Sequence, residues 1–227
     1  MNTKLPLLLV AATPMELQLI LTELQQVVKE GKLHRGFLGE QEVILVATGI
    51  GIVNTSFVMG GLLGKYTFQA AINLGIAGAY DEGLQLGEIV EIQSDSFTDM
   101  GADSAEGFLN LEKLGFPVFR SKEEIHYHTL KNPYLSGEKV RKVSGATVNT
   151  VNGVAEKIRL HKQSWDKQVE SMEGAAFFHA MLQTNTPFYA FRAISNYVRE
   201  RNTHDWDIPL AIKKAQLFVL NFVKEAL

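Results

Sequence analysis

Apolar residues come in short unbroken runs separated by stretches of helical period, an alternation that predicts βαβ units around a largely parallel sheet. Residues 7–12 form the first run, continuous rather than alternating, as expected of a strand covered on both faces. Thr13-Pro14 then predicts a helix over 14–28, with Thr13 as N-cap and Pro14 at the first helical position. Further strands are expected at 43–47, 70–74, 88–92, 140–143 and 188–194, and helices at 53–66, 173–183 and 209–226. In the last helix Ala211, Ala215, Phe218, Val219, Phe222 and Ala226 recur at helical spacing and form a core face. Between residues 94 and 132 the regular pattern lapses into Asp, Gly and Ser with isolated aromatics, the profile of a functional excursion from the sheet.

Composition narrows the function classes. The 227 residues suit one domain spanning 1–227. The absence of cysteine removes disulfides, thiolate metal sites and a cysteine nucleophile. A net charge of −3 without a run of either sign gives no basic face for nucleic acid. No apolar stretch is long enough to span a bilayer, and the first residues lack a signal-peptide pattern. The expectation is a soluble, cytoplasmic α/β protein with no membrane or nucleic-acid partner.

The candidate chemistry sits at strand ends, where open α/β sheets bind ligands. Gly49-Ile50-Gly51 lies between a strand and a helix but carries Asn54 where a dinucleotide fingerprint needs its third glycine. Gly75-Ile76-Ala77-Gly78 reads either as an ordinary turn or as a place where backbone approaches a flat ligand. Glu16 has two readings as well. It completes a Thr-x-x-Glu capping box with Thr13, and it is a carboxylate able to activate water. Glu170-Ser171-Met172-Glu173 brings two acids into a helix start, either to complement its dipole or, for Glu173, to grip vicinal hydroxyls. Ser195 and Asn196 end an apolar strand, as caps or as a reader of a purine edge. His126 and His128 lack a third ligand nearby, so no metal is expected.

In order and combination, the segments at 7–17, 46–54, 72–78, 87–92, 169–176 and 192–196 resemble the purine nucleoside phosphorylase and nucleosidase superfamily. That resemblance implies a mixed, twisted central sheet flanked by helices, a homo-oligomer, a small-molecule nucleoside substrate and no cofactor. It implies Glu16 as the water-activating carboxylate and Glu173 as the holder of the ribose hydroxyls, with Met172 against the sugar. Ile76, Ala77 and Gly78 would line the base and water region, Ile50 and Val148 would form apolar walls, and Ser195 would contact substrate. Asp99-Met100-Gly101-Ala102-Asp103, Gly107-Phe108 and the Arg192–Asn196 stretch are similar to the futalosine hydrolase subfamily of an alternative menaquinone pathway.

Adenine-specific nucleosidases of this type carry aspartate where Asn196 stands. An amide donates to O6 of a 6-oxopurine and accepts from a protonated N7, so Asn196 points to hypoxanthine. The loops at 11–16 and 49–54 lack the arginines with which phosphorylases hold phosphate, which favours water as nucleophile. The alternatives are a methylthioadenosine/S-adenosylhomocysteine nucleosidase, an inosine phosphorylase, and a noncatalytic nucleoside-binding module.

Overall fold

The computed structural model describes residues 5–122 and 124–226, with the side chain of Ala226 left out; residues 1–4, Glu123 and Leu227, all within the expectations above, lie outside that set. The chain opens with β1 (Leu7–Ala11), a 3₁₀ turn at Pro14–Leu17, and α1 (Gln18–Glu23). A meander follows: β2 (Gln25–Glu30), β3 (Leu33–Leu38) and β4 (Gln41–Ala47). Next come α2 (Ile52–Leu63), β5 (Ala70–Ala79) and β6 (Ile89–Phe97). The irregular stretch then supplies β7 (Gly101–Ser104), β8 (Gly107–Asn110), α3 (Leu111–Leu114), β9 (Phe119–Arg120), β10 (Ile125–His126) and β11 (Thr129–Lys131). The chain continues with β12 (Arg141–Thr147), α4 (Ala155–Ser164), β13 (Val169–Ser171), α5 (Gly174–Gln183), β14 (Phe188–Tyr197) and α6 (Ile208–Ala226).

Among the described residues one ten-stranded sheet runs β11-β6-β12-β13-β5-β1-β4-β3-β2, with β14 bridging β5 and β6. That bridge closes β5, β14, β6, β12 and β13 into a ring, and β1, β4, β3 and β2 extend from it as an arm. The arm's outer strand β2 is exposed along its whole length and slips register between Gln25 and Val28, where Gln26 takes a left-handed φ of 52°. Helix α5 packs on one side of the sheet against Phe188 and Ala190. Helix α6 covers the other, with Phe222, Val219 and Phe191 beside Leu7, Leu9 and Ile72.

Three sequence expectations are corrected. The first helix stops at Glu23 rather than residue 28, because 25–30 is recruited as an edge strand by β3, and pairing overrides helical propensity there. Gly75–Gly78 is not a turn. It belongs to the second half of the ten-residue β5, paired from Ala71 to Ala79 with β14, which itself runs on through Asn196 to Tyr197. The strands β2, β3 and β13 and the helix α4 lay outside the expected elements, being too polar or too short to show a clear period.

Glycines are demanded where a buried carboxylate occupies the space a side chain would need. A Cβ at Gly174 would stand 1.9 Å from Asp95 Oδ2, and one at Gly145 would stand 2.8 Å from the same atom. Gly174→Ala will therefore lower Tm by about 5–10 °C, the equivalent of a ~2–3 kcal/mol overpacking cost. Gly60→Ala on α2, where nothing lies within 4 Å of a new Cβ, will leave Tm unchanged or raise it, since alanine favours helix. Equal Tm values for the two variants by calorimetry would contradict this packing.

Candidate active site

The strands β1, β4, β5 and β14 run parallel, so their carboxyl ends meet along one side of the sheet. A cleft of about 450 Å³ opens there, lined by Glu16, Ile50, Ile76, Ala77, Gly78, Met172, Glu173, Ser195 and Asn196 together with Glu170 and Arg201. Nine of the ten residues singled out in the sequence thus face one cavity. Val148 does not; it is buried at 2% exposure and borders a second cavity of about 430 Å³. The two cavities share Val151, Asn152 and Arg201 in their walls. Among the described residues of the 94–132 excursion, none lines the cleft. They fold into the β7/β8 and β9/β10 hairpins, and only Thr98 and Asp99 reach the second cavity.

Glu16 makes the capping interactions and also lines the cleft. Its Oε2 accepts hydrogen bonds from the Thr13 amide and the Thr13 hydroxyl, each at 2.8 Å, which is the return half of a capping box. Its other oxygen, Oε1, lies 3.0 Å from where a Cβ on Gly75 would be, so the bare backbone of β5 makes room for the carboxylate. The side chain is buried at 6% exposure yet lines the cleft.

Glu173 is fixed from the other side. It stands at the N-terminus of α5, and its Oε1 accepts from the Gly51 amide at 2.7 Å. Gly51 is the N-cap of α2, held at φ 92° and ψ 168°, a conformation nearly restricted to glycine. Glu173 thus occupies the positive end of α2, where an anion is favoured. Burial nevertheless pushes its pKa above the usual carboxylate value. The Gly51 amide and the nearby Arg192 guanidinium pull it back, and the negative charge of Glu16 adds to the rise.

Beneath the cleft lies Arg192, 3% exposed and outside the cleft lining. Its guanidinium donates to the Asn73 side-chain oxygen, to the Asn73 carbonyl at 3.3 Å and to the Phe191 carbonyl at 2.9 Å. Among the described residues it forms no ion pair within 4.0 Å, but Glu173, Asp95 and Glu16 all lie within range of its charge. Asp95 accepts from the Ser96 amide and from Thr147 Oγ1, each at 2.8 Å, and Thr147 Oγ1 in turn accepts from the Ala175 amide in the first turn of α5.

At the far end of the cleft β14 carries a bulge: Ile194 pairs with Ala77 and Asn196 with Gly78, leaving Ser195 unmatched. A bulge re-aims side chains. Here the Ser195 hydroxyl donates to Asn196 Oδ1 at 2.7 Å, Asn196 Nδ2 donates to the Tyr197 carbonyl at 3.2 Å, and the amide lies over the bare α-carbon of Gly78. Glu170, on the other flank of Gly78, is 4% exposed and accepts from the Asn152 amide at 2.9 Å, from the Asn152 side chain and from the Tyr80 hydroxyl. Burial, followed by the adjacent Glu170 charge, pushes the Tyr80 phenol far up, keeping it a donor.

Sequence reasoning did not single out Arg201, Trp206, Ile208 or Ile212, and it named Glu170 and Arg192 only within segments and gave neither a place in the cleft. A polar residue inside an apolar strand, as at Asn73 and Arg192, was the available signal. His126 and His128 are engaged with Thr129, Glu124 and Glu112, and among the described residues no group of three potential ligands gathers. Among the described residues no helix is long and apolar enough to cross a membrane.

Burial raises the Asp95 pKa to about 6 from an ordinary 3.8, against the pull of Thr147, Arg192 and the Ser96 amide. Between those values the folded protein keeps a proton that the unfolded chain has lost. The site's contribution to stability is therefore fully present below about pH 4 and lost as pH rises to about 6. In melting curves, the Tm advantage of the protein over Asp95→Asn will shrink from pH 4 to pH 6 and then level off. A difference that stays constant with pH would remove Asp95 titration as its source.

Known proteins resemble this chain in sequence and in fold. Futalosine hydrolase from Thermus thermophilus is 33% identical over 178 residues, 76% of either chain. A 5'-methylthioadenosine/S-adenosylhomocysteine nucleosidase from Colwellia psychrerythraea is 25% identical over 200 residues, covering 84% of this chain and 82% of that one. Two nucleosidase structures share the fold. The Streptococcus pneumoniae enzyme with a transition-state inhibitor has a TM-score of 0.78 at 24% identity, covering 96% of this chain and 98% of that one. The Colwellia psychrerythraea enzyme with adenine has a TM-score of 0.80 at 20% identity, covering 98% and 96%. The sequence pattern of the Phosphorylase superfamily matches residues 6–224, and the chain belongs to that superfamily, among its nucleosidases.

Proposed function

We propose that this chain hydrolyses the N-glycosidic bond of futalosine, releasing hypoxanthine and leaving dehypoxanthine futalosine. The observation that carries this reading is Asn196. After its bonds to Ser195 and Tyr197, the amide retains one N–H and one lone pair, the pair needed to donate to O6 and accept from a protonated N7. Gly78 beneath it gives a flat base room to lie against the strand. The 33% identity to the Thermus thermophilus futalosine hydrolase supports the same substrate.

In this mechanism the base takes a proton from solvent at N7, and the C1'–N9 bond breaks with its electron pair leaving on the base as hypoxanthine. Positive charge builds on the ribose ring, and the oxygen of water adds at C1'. Glu16 takes the proton that the water loses, its geometry set by Thr13 on one oxygen and by the Gly75 backbone beside the other. Glu173 accepts from the ribose hydroxyls, Met172 packs on the sugar, and the two carboxylates face the developing cation. Three carboxylates and one cation, Arg201, line the cleft among the described residues, a poor environment for a phosphate dianion. Water is accordingly the nucleophile. Localisation in the cytoplasm and assembly into a homo-oligomer belong to the same proposal. The oligomer is supported by Ile50, Val53 and Phe57, exposed by 57%, 77% and 84% at helical spacing beside the cleft mouth.

Base release from futalosine, inosine and methylthioadenosine, with and without phosphate, tests the assignment directly. Hypoxanthine from futalosine, independent of phosphate, is expected; adenine from methylthioadenosine, or a requirement for phosphate, would overturn it. Glu16→Gln will cut kcat by about 10²–10⁴-fold. Its Tm will stay close to the parent's, because glutamine also closes a capping box. Asn196→Asp will lower kcat/KM for futalosine by about tenfold or more, as the donor to O6 is lost. Unchanged kcat/KM in that variant would sink the base assignment.

A further inference from the structure

Of the three carboxylates in the cleft wall, Glu170 is the one that the hydrolytic steps leave unused. Its place in the sheet is specific. Asn196 on β14 and Glu170 on β13 are both register partners of Gly78 on β5, so the three residues form a row with the bare glycine in the middle. Neighbouring strands lie about 4.8 Å apart, which sets the two outer α-carbons about 10 Å from each other. Both side chains line the cleft, and the Asn196 amide lies over the Gly78 α-carbon. The row is thus an open-floored slot with an amide at one end and a carboxylate at the other. Glu170 is also firmly held. Its Oε1 accepts from the Asn152 amide at 2.9 Å, and its Oε2 accepts from the Tyr80 hydroxyl and the Asn152 side chain. Three of a carboxylate's four lone-pair directions are filled in this way, and one on Oε1 is left.

Hypoxanthine and adenine differ twice along the edge that meets this row. Hypoxanthine follows its O6 acceptor with the N1–H donor, whereas adenine follows its amino group with a bare N1 acceptor. With Asn196 on N7 and O6, N1 comes next along the same edge, on the side of Glu170. We propose that Glu170 is a specificity-determining residue, which accepts the N1–H of a 6-oxopurine and turns away adenine, whose N1 lone pair would face the carboxylate. The proposal rests on the nucleoside-hydrolase reading and deepens it by giving the choice of base a determinant separate from Asn196. Discrimination of this kind comes as much from the mismatch as from the match, because two acceptors brought together out of water repel. A site built to take a hydrogen bond from its substrate rejects an analogue lacking that donor far more strongly than a pocket that judges shape alone.

The test takes a hypoxanthine and an adenine nucleoside built on the same sugar and reads the ratio of their kcat/KM values in the native protein, Glu170→Gln and Tyr80→Phe. Glutamine keeps the shape of Glu170 but puts an N–H donor where adenine N1 can accept. The hypoxanthine-to-adenine ratio should therefore fall by about tenfold or more in Glu170→Gln. Tyr80→Phe removes one support of the carboxylate without touching the base, so it should change both substrates alike and leave the ratio in place. A ratio unmoved in Glu170→Gln, or one that falls as far in Tyr80→Phe, would overturn the assignment. The native protein answers the same question without a variant. Free 1-methylhypoxanthine should inhibit about tenfold or more weakly than 2-methylhypoxanthine, which has the same bulk and keeps N1–H. Equal inhibition by the two would also overturn it. A native protein that prefers the adenine nucleoside, with a ratio that Glu170→Gln still shifts toward adenine, would refute the hypoxanthine assignment and uphold Glu170. A native preference for hypoxanthine that Glu170→Gln leaves untouched would do the reverse.

Discussion

The buried guanidinium of Arg192 sets the terms for everything around it. A charge so far from water is tolerated only where dipoles and opposite charges surround it. The Asn73 side chain and two backbone carbonyls accept its hydrogen bonds, while Asp95, Glu173 and Glu16 balance its charge. Those requirements propagate. Asp95 needs the space that alanine would fill at Gly145 and Gly174, so β12 and the start of α5 close tightly on it. The α5 N-terminus is thereby anchored, through Ala175 and Thr147, with Glu173 at its head. The cleft's floor and the carboxylates above it are parts of one electrostatic assembly.

Preorganisation follows from that assembly. Glu16 and Glu173 are held by backbone amides belonging to two separate helical starts, so neither carboxylate must reorient when substrate arrives. The capping interactions of Glu16 engage Oε2, and Oε1 remains beside the glycine backbone of β5. Under the proposed hydrolysis the helix cap and the general base are thus the same side chain, acting through different oxygens.

Much of this was legible in the sequence, and the parts that were not have physical reasons. The buried strands β1, β4 and β5 showed as apolar runs because both their faces are covered. Glu16, Glu173 and Asn196 each kept an ordinary capping or dipole reading on their own, and it was their combination with the other strand-end segments, through the resemblance to the superfamily, that marked them. The edge strand β2 hid behind a helical pattern, since solvent exposure removes the period that would reveal it. The extent of β5 hid behind its glycines, which read equally as a turn or as backbone open to a flat ligand, and which continue the strand along the cleft. Val148 was placed one cavity away, and Arg201 and Trp206 gave no signal, because their meaning depends on a loop crossing that only tertiary structure defines.

Among the described residues the ring of strands leaves β11 and β2 as the end strands of the sheet, and neither is an inviting template. On one side β11 offers three residues. On the other, β2 is kinked out of register at Gln26 and carries Lys29 and Glu30 near its end. A foreign strand seeking to add itself there would meet an interrupted row of amides and fixed charges. The same irregularity that concealed β2 from its sequence therefore protects concentrated protein from edge-to-edge polymerisation and amyloid-like growth.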